Sequence, residues 1–168
     1  MPPKSTAVGQ KLPVAYSLFF LVIEPISALV GAFFAHFRQR EYLSLIDSAS
    51  ASSSVPLSTA IALSQLANLY LFFAINEALV LRSTADLRVW KTVLFGLLVG
   101  DIGHLYSYWP VGWQIYYNAP AWNAMDIGSI PFVYLGASMR IAFLLGVGLG
   151  NRAPARRPAS AANRPKTK

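Results

Sequence analysis

Ionisable side chains punctuate otherwise oily stretches of this 168-residue chain: Glu24, Glu77, Asp101, His104 and Arg140. A charge at the centre of a hydrocarbon layer costs about 2.5–3.5 kcal/mol on insertion scales, so such groups face inward and have partners. In "FGLLVGDIGHLYSYWP", Asp101 and His104 are three residues apart and share nearly one helix face. An acid beside an imidazole in a greasy cavity is a proton donor suited to neutral pH. Glu24 falls at the middle of its oily segment, and Asp101 and Arg140 lie close to the middle of theirs. At 1.5 Å per residue, all three lie within roughly 5 Å of one plane. The pattern predicts an ion pair or triad joining Arg140 to Glu24 or Asp101. Two carboxylates against one guanidinium leave one negative charge over, which a proton on one acid would relieve.

Four segments must position these groups. "PVAYSLFFLVIEPISALVGAFFAH" covers 13–36, too long for the apolar core of a signal peptide. "RQREYLSLIDSASASSSV" follows, ending in a Ser/Ala-rich loop, and Pro56 opens a second segment over 57–81. The link "RSTADLRVW" leads to a third segment over 91–109, and a fourth covers 127–149. Each approaches the roughly 20 residues that a helix needs to cross a bilayer. Between the last two lies a loop rich in Tyr and Trp, side chains that settle at headgroup level. Residues 1–12 and 151–168 read as polar, disordered tails. The fold class expected is all-α: one domain, a compact four-helix membrane bundle, with Gly96-xxx-Gly100 as a close-packing seam.

Composition agrees. The chain is 55% hydrophobic and 12% charged, with mean hydropathy +0.45, against about 25% charged in soluble domains. The net charge of +7 comes largely from six basic residues in the last 17 positions, a tail rather than a nucleic-acid face. There are no cysteines and only two histidines, so no metal or cofactor site is expected. No phosphate loop, HExxH or GxSxG motif occurs. Four spans put both termini and the 82–91 link on one side with eleven basic residues, facing only Arg38 and Arg40. The positive-inside rule makes the eleven-residue side cytosolic.

Further polar residues are candidate cavity lining. Gln65, Asn68 and Asn76 fall within about 80° of each other around the second helix. Trp122, Asn123 and Asp126 mark the entry to the fourth. Each has a plainer role as well. Asp126 can cap a helix. Glu77 can pair with Arg82 or Arg88. Glu24 can satisfy the backbone that Pro25 leaves without a donor. Arg140 can simply tie helices together, and Trp122 can anchor the loop at the interface.

The blocks "INEALVLR", "GDIGHLYS" and "WNAMDIGS" carry a resemblance. Over roughly 13–150 the chain resembles a family of small fungal membrane proteins of unknown function, which implies four helices but no reaction. More distantly, it is similar to the EXPERA group, with sterol isomerase and the sigma-2 receptor, and to small membrane-bound terpene cyclases. Those resemblances imply cytosolic termini and buried acids that protonate an alkene. Two classes of function follow. One is an intramembrane enzyme acting on an isoprenoid or sterol-like lipid, with Asp101, Glu77, His104 and Glu24 as catalytic candidates and Asn76, Asn68, Trp122 and Arg140 as binding candidates. The other is a non-catalytic lipid-binding, trafficking or scaffold protein, its basic tail touching membrane lipid. The terminal "RPKTK" loosely resembles a dibasic retrieval signal, making the endoplasmic reticulum the default location.

Overall fold

An apolar run from Val14, carrying one carboxylate at Glu24, produces the first long helix, α1 (Val14–Phe37). The computed structural model, which describes residues 12–49 and 53–150, shows that α1 is not uniform. A wide π turn, Phe19–Ile23, separates the α-helical pieces Val14–Leu18 and Glu24–Phe37. The wide turn falls just ahead of Pro25, whose ring lacks the N–H that the Leu21 carbonyl would accept. That carbonyl accepts instead from Arg82 Nη2 at 2.6 Å. The gap at Pro25 is therefore filled from another helix, not by Glu24.

Helix α2 (Gln39–Ile46) is an element that the four-segment reading does not contain. Its Tyr42 packs on Ala35, Leu63 and Ala67. Gln39 Nε2 donates to the Ala60 carbonyl and to Ser64 Oγ. Helix α3 (Leu57–Ser83) follows, with its own π turn at Asn76–Val80. Helix α4 (Leu87–Ser107) starts four residues before the expected 91, because the Asp86 carboxylate accepts from Arg88 N and caps it. Three short 3-10 turns, from Trp109 to Ala121, form the aromatic loop.

Helix α5 (Ala124–Leu144) opens on a capping box: Asn123 Oδ1 accepts from Met125 N and Asp126 N, and Asp126 Oδ2 accepts from Asn123 N. It breaks at Ile130, before Pro131. It ends at Leu144, short of 149, where Gly146 and Gly148 take positive φ values of 83° and 72°.

No strand occurs among the described residues. Three helices, α1, α3 and α5, are long and apolar enough to cross a membrane. Helix α4, with Arg88, Lys91, Asp101 and His104, is not among them. Large apolar side chains face outward all around, including Leu29, Phe33, Leu69, Phe72, Phe95 and Leu135. The two tails, with "RPKTK", lie outside the described residues apart from Leu12.

Packing is uneven. The Glu24–Phe37 half of α1 lies along α3, and α4 lies along α5. At one end the four long helices meet in a core of Tyr16, Phe19, Phe20, Leu81, Trp90, Leu94 and Phe143. Toward α2 the two pairs stand apart around a cavity of about 320 Å³. The bundle is thus splayed rather than filled. Gly96-xxx-Gly100 is no seam: a Cβ at Gly96 or Gly103 would meet nothing within 4 Å, and only Gly100 faces a neighbour, the Phe73 ring.

Candidate functional site

Arg140 reaches out from α5 at the floor of the cavity and gathers three acids from three other helices. Its Nη2 meets Glu24 Oε1 of α1 at 2.6 Å and Glu77 Oε1 of α3 at 3.0 Å, and its Nη1 meets Asp101 Oδ2 of α4 at 2.8 Å. The guanidinium carbon also lies 5.6 Å from the Phe20 ring centroid. Arg140 is 2% exposed and Glu77 1%. The Arg140–Glu24 and Arg140–Asp101 contacts expected from common depth are both present.

Glu77 pairs with Arg140, so its plain alternative role as a partner of Arg82 or Arg88 does not hold. The π turn over Asn76–Val80 shifts its register, and Arg82 is held at the Leu21 carbonyl. Such wide turns concentrate at functional sites. Here two of them flank the cluster, one ending just before Glu24 and the other containing Glu77. Glu24 and Glu77 both accept from the same Arg140 Nη2, which brings their carboxyls close together. Three carboxylates and one guanidinium sum to −2, so the cluster is neutral only when two of its acids carry protons.

His104 lines the same cavity but does not bond to Asp101. Its Nε2 is buried without a partner. In the neutral tautomer protonated at Nδ1, Nε2 presents a lone pair. Glu24 Oε2 and Arg140 Nε are likewise buried and unpartnered.

Other expected lining residues lie elsewhere. Gln65 and Asn68 are exposed on the outer face of α3. Asn76 Nδ2 bonds back to the Phe72 carbonyl, and Trp122 Nε1 to the Ile115 carbonyl, so both are spent locally. Asn123 and Asp126 are consumed by the capping box. The shared arc of Gln65, Asn68 and Asn76 is real, but it points away from the other helices.

In their place the cavity is lined by Tyr42, Tyr70 and Ser129, which the sequence reading missed. The Tyr42 and Tyr70 hydroxyls are 3.1 Å apart. Burial pushes the Tyr42 hydroxyl far above its ordinary range, so it stays protonated. Ser129 Oγ accepts from Tyr108 at 2.8 Å. A tyrosine in mid-helix is itself a signal, since its buried hydroxyl needs a partner.

Gly136 makes the close approach possible. A Cβ there would sit 2.8 Å from Arg140 Nη1 and 3.2 Å from Glu24 Oε1. Gly136→Ala is expected to cost about 1–3 kcal/mol through overpacking, seen as a lower unfolding midpoint in detergent. Gly128→Ala, where a Cβ meets nothing within 4 Å, should change little.

Residues 9–150 match the family described as a domain of unknown function, DUF7704. The chain belongs to this family. No curated protein and no solved structure matches it. These comparisons lend no support to a likeness to the EXPERA group or to small terpene cyclases.

Proposed function

We propose that this DUF7704 protein is a multi-pass membrane protein that takes a membrane-dissolved lipid into its cavity and protonates an alkene of it, as an isomerase or cyclase of an isoprenoid or sterol-like lipid does. Helix α4 completes four spans. Its Arg88 and Lys91 sit at one end, and its Asp101 is neutralised by Arg140. An even number of spans leaves both termini on the basic, cytosolic side.

The observation that carries this reading is the cavity floor, where three acids and one arginine lie beneath apolar walls. Keeping a cluster uncharged at that depth calls for protons on it, and Glu24 and Glu77, which share Arg140 Nη2, are placed to hold one. In the step proposed, the acid O–H breaks and its proton bonds to one alkene carbon, using the π pair. The carbocation then loses a proton from a neighbouring carbon to His104 Nε2, and the double bond re-forms one position away. The proton returns to the acids through Asp101, one helical turn from His104. Anionic carboxylate and the Phe73 and Phe132 rings that line the cavity stabilise the cation between the two transfers.

Retention of lipid without reaction is the alternative, favoured by the pairing of all three acids with Arg140. Glu77→Gln separates the two, because it keeps shape and hydrogen bonding but holds no transferable proton. Equal membrane expression with loss of one unsaturated lipid product, a drop of about 10²–10⁴ in rate, supports catalysis. An unchanged lipid profile at equal expression overturns it.

A further inference from the structure

The polar groups of the cavity differ along its length, with Ser27 and His104 each one helical turn from a floor acid. At the floor they are the carboxyls. Toward α2 they are hydroxyls: Tyr42, Tyr70 and Ser129. Tyr70 and Glu77 are seven residues apart on α3, as are Gly31 and Glu24 on α1, which puts the two levels roughly 10 Å apart at 1.5 Å per residue. A Cβ on Gly31 would lie 3.4 Å from the Tyr70 ring, so the absence of a side chain at that position lets the ring lie against α1.

Two tyrosine hydroxyls carry two O–H donors, and the bond between them uses one. The second has no acceptor among the described residues. Tyr42 is 4% exposed and Tyr70 half-buried, and both line the cavity, so a cavity occupant is placed to accept from it. Among the described residues, cations are missing from this level. The lining holds one basic side chain other than His104, Arg140, and it is committed to three carboxylates at the floor.

Resting on the cavity reading above, we infer that the ligand is an amphiphile with one uncharged oxygen function, an alcohol, ether or ketone, which accepts a hydrogen bond from the Tyr42–Tyr70 pair while its double bond lies at the carboxyl floor. The missing cation excludes a phosphate or diphosphate ester, which would need Arg or Lys. The oxygen end points toward α2 and the alkene toward the centre of the bundle. Orientation is thereby fixed before any proton moves.

The test uses the full chain in lipid nanodiscs with a radiolabelled 15-carbon prenyl alcohol. The matching hydrocarbon and the matching prenyl diphosphate serve as competitors. The alcohol is expected to bind about tenfold more tightly than the hydrocarbon, the worth of one hydrogen bond near 1.4 kcal/mol, and the diphosphate to compete poorly. The double variant Tyr42→Phe/Tyr70→Phe removes both hydroxyls at constant shape, so no buried donor is stranded. It should bind alcohol and hydrocarbon alike, with hydrocarbon affinity within about twofold of the parent. Each single variant keeps one hydroxyl, and at least one of them retains the preference. Equal binding of alcohol and hydrocarbon by the parent, or preference for the diphosphate, overturns the two-ended assignment and leaves the cavity reading standing. Absence of saturable binding by all three overturns the cavity reading itself, and this inference with it.

Discussion

Arg140→Met should destabilise the protein by about 3–5 kcal/mol, the usual cost of removing one partner from a buried charged network. The replacement is close in volume and apolar, so the loss is not one of packing. Glu24, Glu77 and Asp101 would face each other with no positive charge at a depth where Glu77 is 1% exposed. Arg140→Lys should recover only part of the loss. One ammonium has three donors on a flexible stem, whereas the guanidinium offers Nη1 and Nη2 at once to acids on opposite sides. Thermal unfolding in detergent, read alongside the membrane level of each variant, measures both. A loss under about 1 kcal/mol for Arg140→Met would mean that the acids are not held through the arginine.

The same cluster shows how far sequence reasoning reaches. Depth along a helix is a linear quantity, so counting residues is enough to place Glu24, Asp101 and Arg140 at one level. The facing of a side chain is angular, and angle depends on an undisturbed helix. Two π turns, Phe19–Ile23 and Asn76–Val80, change the angular register next to Glu24 and within the Glu77 segment. This is why residue spacing offers Glu77 a pairing with Arg82 or Arg88 as its plain role and does not show that it reaches Arg140. Pro25 was the one visible hint of irregularity, and its structural answer, Arg82, lies 61 residues beyond Leu21. The arc of Gln65, Asn68 and Asn76 failed for another reason: periodicity groups residues on a face without saying which way that face looks. Helix α2 escaped because eight residues are too few to give a periodic signal against a polar background. Its Tyr42 therefore went unseen, along with the hydroxyl end of the cavity.

Replacing the whole cluster at once should have the opposite outcome to replacing Arg140 alone. With Arg140→Met, Glu24→Met, Glu77→Met and Asp101→Leu together, no charge needs a partner, and none of the four side chains is left polar. Exchanging buried ionic networks for well-packed apolar groups of similar size is often neutral or stabilising by about 1–4 kcal/mol. The quadruple variant should therefore unfold no more readily than the parent, and at least 3 kcal/mol less readily than Arg140→Met. Its unfolding midpoint and its lipid profile are to be read together. A stable quadruple variant that has lost the lipid product means that the four ionisable groups serve proton chemistry and not cohesion. A quadruple variant as unstable as Arg140→Met would make the cluster a structural tie between α1, α3, α4 and α5. That result would remove the physical reason for placing a reaction there, since a fold that needs the charges already accounts for them.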